Sequence, residues 1–131
     1  MDIIITQWAL DSYLDLKASH VFSEHEYNNI IRQDVLLLKN FPNDIRFKQS
    51  KFWSPAQDQS GQMISNGFKM KWHQMGSGQI QLRLPTGMLN EAFLCQGYVK
   101  QNQKQEYRQL AKFKTYLQLI RQNVYTECGR L

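Results

Sequence analysis

Between residues 68 and 84, apolar and polar positions alternate. Phe68, Met70 and Trp72 are separated by Lys69, Lys71 and His73, and beyond Met75-Gly76-Ser77-Gly78 the residues Ile80, Leu82 and Leu84 alternate with Gln79, Gln81 and Arg83. A period of two belongs to a strand buried on one face, so this stretch predicts a β-hairpin with one apolar and one polar side. A third strand is expected over residues 92–99, after the turn at Pro85-Thr86-Gly87. Elsewhere the period lengthens to that of a helix. Ser23-Glu24-His25-Glu26 spells a capping box and Phe22 with Tyr27 a hydrophobic staple. The helix they open carries Tyr27, Ile30, Ile31, Val35 and Leu38 on one stripe and stops before Phe41-Pro42-Asn43. Ile3-Ile4-Ile5 reads as a short strand, and Thr6 as the N-cap of a helix over residues 7–19 whose Leu10, Tyr13, Leu14 and Lys17 share a face. Tyr107, Leu110, Phe113, Leu117, Ile120 and Val124 define a long C-terminal helix, with a frayed tail after about residue 123. Residues 43–66 keep no period and read as a long loop, in which Phe52 and Trp53 cover the edge of the core.

The hairpin's apolar sets must face each other, and that requirement selects the loop. An odd loop, Met75-Gly76-Ser77 with Gly78 available for a bulge, sets Trp72 against Ile80, Met70 against Leu82 and Phe68 against Leu84. On the polar side it sets His73 against Gln79, Lys71 against Gln81 and Lys69 directly against Arg83. Like charges in that position cost up to roughly 1 kcal/mol unless water screens them or an anion lies between them. One reading is a phosphate site; the other is a solvated sheet face whose long side chains splay apart. Gln96 and Tyr98 fall on the same surface by parity. Lys, Arg, Gln and Tyr are the residue types that hold RNA phosphates, read base edges and stack on bases.

Charge sharpens the first reading. The chain of 131 residues carries a net charge of +5, and 10 of its 16 Lys+Arg but only 3 of its 11 Asp+Glu lie beyond residue 65. A surplus confined to one half fits a polyanion or an acidic protein partner for that half. Length and an apolar fraction of 42% suit a single domain over residues 1–131. No run of about 18 apolar residues and no basic, apolar leader is present, so neither a membrane span nor classical export is expected. The two cysteines, Cys95 and Cys128, are too few for a disulfide framework, which makes the cytoplasm the expected compartment. Cys95 reads as strand packing. His20 and His25 lack zinc spacing, so neither metal nor other cofactor is expected.

The stretch Phe68-Lys69-Met70-Lys71-Trp72, the glycine turn, the strand at 79–84, and Gly97-Tyr98-Val99-Lys100-Gln101-Asn102-Gln103-Lys104 opening a helix resemble the RelE/ParE toxin superfamily, in particular its HigB-like branch. The resemblance covers about residues 67–122 in motif and the first 66 only in layout. It implies a bacterial type II toxin–antitoxin protein. The RelE branch cleaves mRNA on the ribosome without metal, and the ParE branch poisons DNA gyrase. Residue by residue, the family's Lys-x-Lys falls on Lys69 and Lys71. Its strand arginine falls on Gln81, with Arg83 two positions on. Its late arginine falls on Gln101 beside Lys100, its helix tyrosine near Tyr107, and its histidine before the Gly-aromatic pair on Gln96. Two cations and one histidine of the pattern are thus replaced, which weighs on cleavage more than on RNA binding.

The expected fold is α+β, a small antiparallel sheet packed by two N-terminal helices and a C-terminal helix. The expected function is a toxin-like, metal-independent ribonuclease acting on mRNA at the ribosome and held by an acidic antitoxin. The alternative is a non-enzymatic toxin-fold binder, either a gyrase inhibitor or an adaptor. For cleavage, His73 is the candidate base or acid, Lys71 and Arg83 with Lys69 the phosphate cations, and Tyr98 or Tyr107 a stacking or proton-transfer group. His73 also fits an exposed residue before a turn, and Tyr107 the core stripe of its helix. Gln81, Gln96 and Lys100 complete the RNA-binding set. It extends along the helix through Lys104 and Arg108, which form a basic stripe with Lys112 or else a solvated face.

Overall fold

A computed structural model describes residues 1–131, the side chain of Ser77 excepted. It is an α+β domain built on one mixed sheet of seven strands. Strand β1 (Ile3–Thr6) leads into helix α1 (Gln7–Ala18), and helix α2 follows over residues 24–36. Strands β2 (Trp53–Gln57), β3 (Met63–Gln74), β4 (Ile80–Met88), β5 (Ala92–Leu94) and β6 (Tyr98–Val99) precede helix α3 (Gln103–Arg121) and strand β7 (Glu127–Arg130). The sheet order is β2-β3-β4-β5-β1-β7, with β6 also paired to β4. All pairings are antiparallel except β1 with β5, which run parallel. The sheet is therefore larger than the small antiparallel one expected, and mixed.

Local chemistry explains the boundaries. The Thr6 side chain accepts from the Ala9 amide and its hydroxyl donates to the Leu94 carbonyl, so one buried residue both caps α1 and ties it to β5. Ser23 and Glu26 form the reciprocal capping box at 3.0 and 2.9 Å. Asn102 caps α3 by accepting from the Gln105 amide. Within α2, residues Tyr27–Ile31 form a π turn. Its extra residue rotates Ile30 off the stripe and into solvent, whereas Ile31, Val35 and Leu38 remain buried.

The sheet carries a core on each face. Trp72, Met70, Leu82 and Leu94 point toward α1 and α2, where they meet Ala9, Ile31, Val35 and Leu38. The Trp72 indole N–H donates to Asp34, which Arg46 also contacts at 2.8 Å, so this buried carboxylate is fully engaged. On the other face Ile4, Phe93 and Cys95 meet Leu110, Phe113, Leu117 and Ile120 of α3. The C-terminal helix thus lies across the side of the sheet opposite the N-terminal pair and shares that side with Lys69 and Lys71.

Gly67 and Gly87 face each other across β3 and β4 and let α3 approach closely. A Cβ at Gly67 would lie 2.8 Å from the Phe113 ring and 3.1 Å from the Ile64 carbonyl oxygen. Phe113 is fully buried and has no room to yield. Gly67→Ala is expected to lower stability by about 1–3 kcal/mol, read as an earlier midpoint in urea unfolding.

Three expectations need correction. Within the expected loop at 43–66 lie a 3-10 turn, Ile45–Lys48, and the edge strand β2. Pro55 concealed that strand, although an edge strand tolerates a residue without an N–H. The tail after residue 123 is not frayed. Strand β7 pairs with β1, and Arg130 contacts Asp2, Glu91 and Glu127, each at 2.8 Å. The hairpin register differs by two residues: Lys71, not Lys69, faces Arg83, and Lys69 faces Pro85. The turn is a single helical turn, Met75–Gly78, bridged by Met75 and Ile80. Between that bridge and the Trp72–Leu82 pair, three steps along β3 span two along β4. This bulge restores the facing of the apolar sets.

Candidate functional site

Beyond the N-terminal end of α3 the sheet is not covered by the apolar core, and four cationic side chains meet there. Lys69 and Lys71 come from β3, Arg83 from β4 and Lys100 from the chain just after β6. A single carboxylate lies among them, Glu106 in the first turn of α3. Its Oε1 is 3.6 Å from Lys69 Nζ and 3.9 Å from Lys100 Nζ, and its Oε2 accepts the Tyr98 hydroxyl at 2.7 Å. Glu106 is only 3% exposed and Tyr98 4%. The carboxylate is therefore a structural counterion rather than a surface group.

Arg83 is also 3% exposed. One guanidinium nitrogen donates to the carbonyls of Trp72 and Leu82 and the other to the Gln81 side chain at 2.8 Å. With that fork occupied by protein groups, Arg83 contributes field rather than a free donor pair. The lysines differ. Burial holds the Lys69 ammonium below the ordinary lysine value, and although Glu106 opposes the shift, Arg83 and Lys100 add to it. Lys71 is lowered for the same first reason, burial, and then by the charges of Lys69 and Arg83. Unlike Lys69 and Lys100, Lys71 has no carboxylate within salt-bridge distance among the described residues. It is half-buried and is the cation of the cluster left to meet a ligand.

Tyr98 is shifted upward by burial and by its bond to Glu106. A buried phenol committed to a carboxylate neither stacks on a base nor gives up its proton readily, so Tyr98 positions Glu106 instead of taking the expected chemical role. His73 has the second of its two expected placements, exposed just before the turn at Met75–Gly78. Its ring nitrogen bonds the Lys51 carbonyl, at the side of the sheet where β2 joins β3. Gln96 lies beneath α3, 8% exposed, with its amide nitrogen donating to the Gln109 carbonyl, so it cannot read a base. Gln81 supports Arg83 through its side-chain oxygen. Lys104 and Arg108 are exposed along α3, and Tyr107 is half-buried, off the buried stripe that Glu106 occupies instead. Cys95, Phe52 and Trp53 are buried packing groups, as expected.

The residue the sequence reading missed is Glu106. It falls four positions before Leu110, so it continues the buried stripe of Leu110, Phe113, Leu117 and Ile120 by one turn. An acid on an apolar stripe needs a partner, and that was the available signal.

No family model, curated protein or solved structure matches the chain. No helix of the described residues is long and apolar enough to cross a membrane. Among the described residues no three His, Cys, Asp or Glu side chains come together as a metal site.

Proposed function

We propose that the chain is a toxin-like ribonuclease of the RelE/ParE kind, binding single-stranded RNA at the cation cluster and cleaving mRNA on the ribosome. One observation carries the reading: Lys69, Lys71, Arg83 and Lys100 gather around one carboxylate, leaving three positive charges unbalanced on a partly dry surface. Folding alone gains nothing from that surplus, whereas a phosphodiester neutralises it. The exposed stripe of Lys104, Arg108 and Lys112 extends the positive surface along α3, for ribosomal RNA or for an acidic antitoxin.

The chemistry needs no metal. Lys71, whose ammonium burial and the neighbouring charges of Lys69 and Arg83 disfavour, is the group assigned to take the proton of a ribose 2′-OH. The 2′-oxygen attacks phosphorus, the P–O5′ bond breaks, and the 5′-oxygen takes a proton from Lys100. A 2′,3′-cyclic phosphate remains. Lys69 and Arg83 supply the field that steadies the crowded phosphorus centre. A second reading, binding without cleavage, is favoured by the engagement of Arg83 and Tyr98 with protein groups.

Induced expression is expected to arrest growth and to shorten mRNAs at ribosome-occupied sites. Growth arrest with intact mRNA and stalled replication would indicate gyrase. Salt-sensitive RNA binding without any phenotype would leave an adaptor. RNA affinity carries its own pH signature. Binding phosphate favours the charged lysine, so affinity is full below the lowered pKa of Lys71 and falls as pH rises through it, beginning below the ordinary value of 10.5. Filter binding from pH 6 to 10 checks this, about four units spanning the ordinary His and Lys ranges. A loss centred near the histidine range would return the leading role to His73.

A further inference from the structure

On the face of the sheet away from the cations, α1 and α2 do not close completely against the strands. A partly open cavity of about 350 Å³ remains between them. Its floor is Leu82, Leu84 and Leu94 and its roof Ile31 and Val35. Interiors normally leave few voids larger than a water molecule, and this one is more than twice the ~150 Å³ that holds a benzene ring. It falls within the range of small-ligand sites, about 300–1,000 Å³.

The ends of the cavity are chemically unequal. At one end Tyr13, Phe22 and Tyr27 pack on one another with ring centroids 4.9 to 5.9 Å apart. Arg32 lines the cavity beside them, is exposed, and its charge acts on the Tyr27 phenol. Lys17 lies over the Tyr13 ring at 5.9 Å. No Asp or Glu side chain lines the cavity, and its other cation, Arg83, is already engaged by the Trp72 and Leu82 carbonyls and the Gln81 side chain, which leaves Arg32 to meet a ligand. Burial holds the Tyr27 phenol above its ordinary pKa, so it remains a neutral donor. The Tyr27 hydroxyl has no protein hydrogen-bond partner among the described residues. An apolar barrel closed at one end by a phenol and a guanidinium, with no opposing acid, matches a ligand with a hydrocarbon body and one anionic head.

We propose that this cavity binds an apolar carboxylate of about ten carbons, its chain between the Val35 and Leu94 sides and its head at Arg32 and the Tyr27 hydroxyl. Arg83 borders both this cavity and the cation cluster, but its guanidinium is committed to those protein groups, and Lys71 does not line the cavity.

The test is calorimetric titration of the full chain with decanoate and, separately, with decanol, below the concentration at which decanoate forms micelles. Saturable binding of one decanoate per chain is expected. Arg32→Gln, at an exposed position, should weaken decanoate about tenfold and leave decanol unchanged. Val35→Phe, which fills the cavity, should abolish both while circular dichroism shows a folded chain. Absence of saturable binding would overturn the proposal. So would an Arg32→Gln protein that binds decanoate as tightly as the parent, or a folded Val35→Phe protein that still binds it. If Val35→Phe fails to fold, the Arg32→Gln comparison alone decides.

Discussion

Lys71→Glu is expected to abolish the growth arrest caused by induced expression and to lower RNA affinity at least tenfold, without loss of stability. Lys71 meets three other cations and has no carboxylate within salt-bridge distance among the described residues, so removing its charge relieves repulsion within the fold. The same charge is the one best placed to meet phosphate. A hydrogen bond to a charged group contributes about 1.5–3 kcal/mol, and reversing the sign adds repulsion to that loss. Binding and stability should therefore move apart, with the urea midpoint unchanged or raised. A substitution that merely damaged the fold would lower both. Titrations with a single-stranded oligonucleotide across salt concentrations, run beside unfolding curves, separate the two outcomes.

The second large effect concerns Glu106. Glu106→Ala leaves the Tyr98 hydroxyl without its acceptor and leaves Lys69 and Arg83 in a partly dry site without a counterion. Breaking a buried pair in this way typically costs about 3–5 kcal/mol, enough to unfold much of a marginal domain. Glu106→Gln keeps an acceptor for Tyr98 and should lose less. With its net charge raised by one, the glutamine variant should bind RNA more tightly than the parent, and saturating RNA should recover part of the lost stability by mass action. Thermal melts with and without oligonucleotide check both signs. A Glu106→Gln protein that bound RNA more weakly would mean that the carboxylate itself contacts the ligand.

The halves of the molecule that were legible in the sequence are those where side chains, rather than backbone, set the structure. The alternation around Phe68 to Leu84 gave two strands and the correct face for each side chain, because one slip of a single residue would turn the core outward. A slip of two residues preserves that alternation, so pattern alone did not choose between Lys69 and Lys71 as the neighbour of Arg83. A bulge made the choice. Strand β7 escaped notice for a related reason. Glu127, Cys128 and Arg130 are exposed, and the strand exists by backbone pairing with β1, which leaves no apolar period.

The cations of the site were legible for the opposite reason: charges on the polar face of an amphipathic strand converge wherever that face goes. Their carboxylate was not. Glu106 lies on a helix whose residues were read as a core stripe, and only the packing of α3 across the sheet brings it against Lys69. Gln96 illustrates the reverse error. A bulge between β5 and β6 interrupts the expected third strand, and the glutamine ends beneath α3 rather than on the polar surface.

The most direct measurement follows the side-chain ammonium signals of Lys69, Lys71 and Lys100 by nitrogen-detected NMR as single-stranded RNA is added. All three are expected to move at one saturating stoichiometry, with the pKa of Lys71 rising toward the ordinary lysine value as phosphate replaces the missing counterion. Shifts confined to Lys104, Arg108 and Lys112 along the helix, or three cluster signals left where they were, would contradict RNA binding at this cluster.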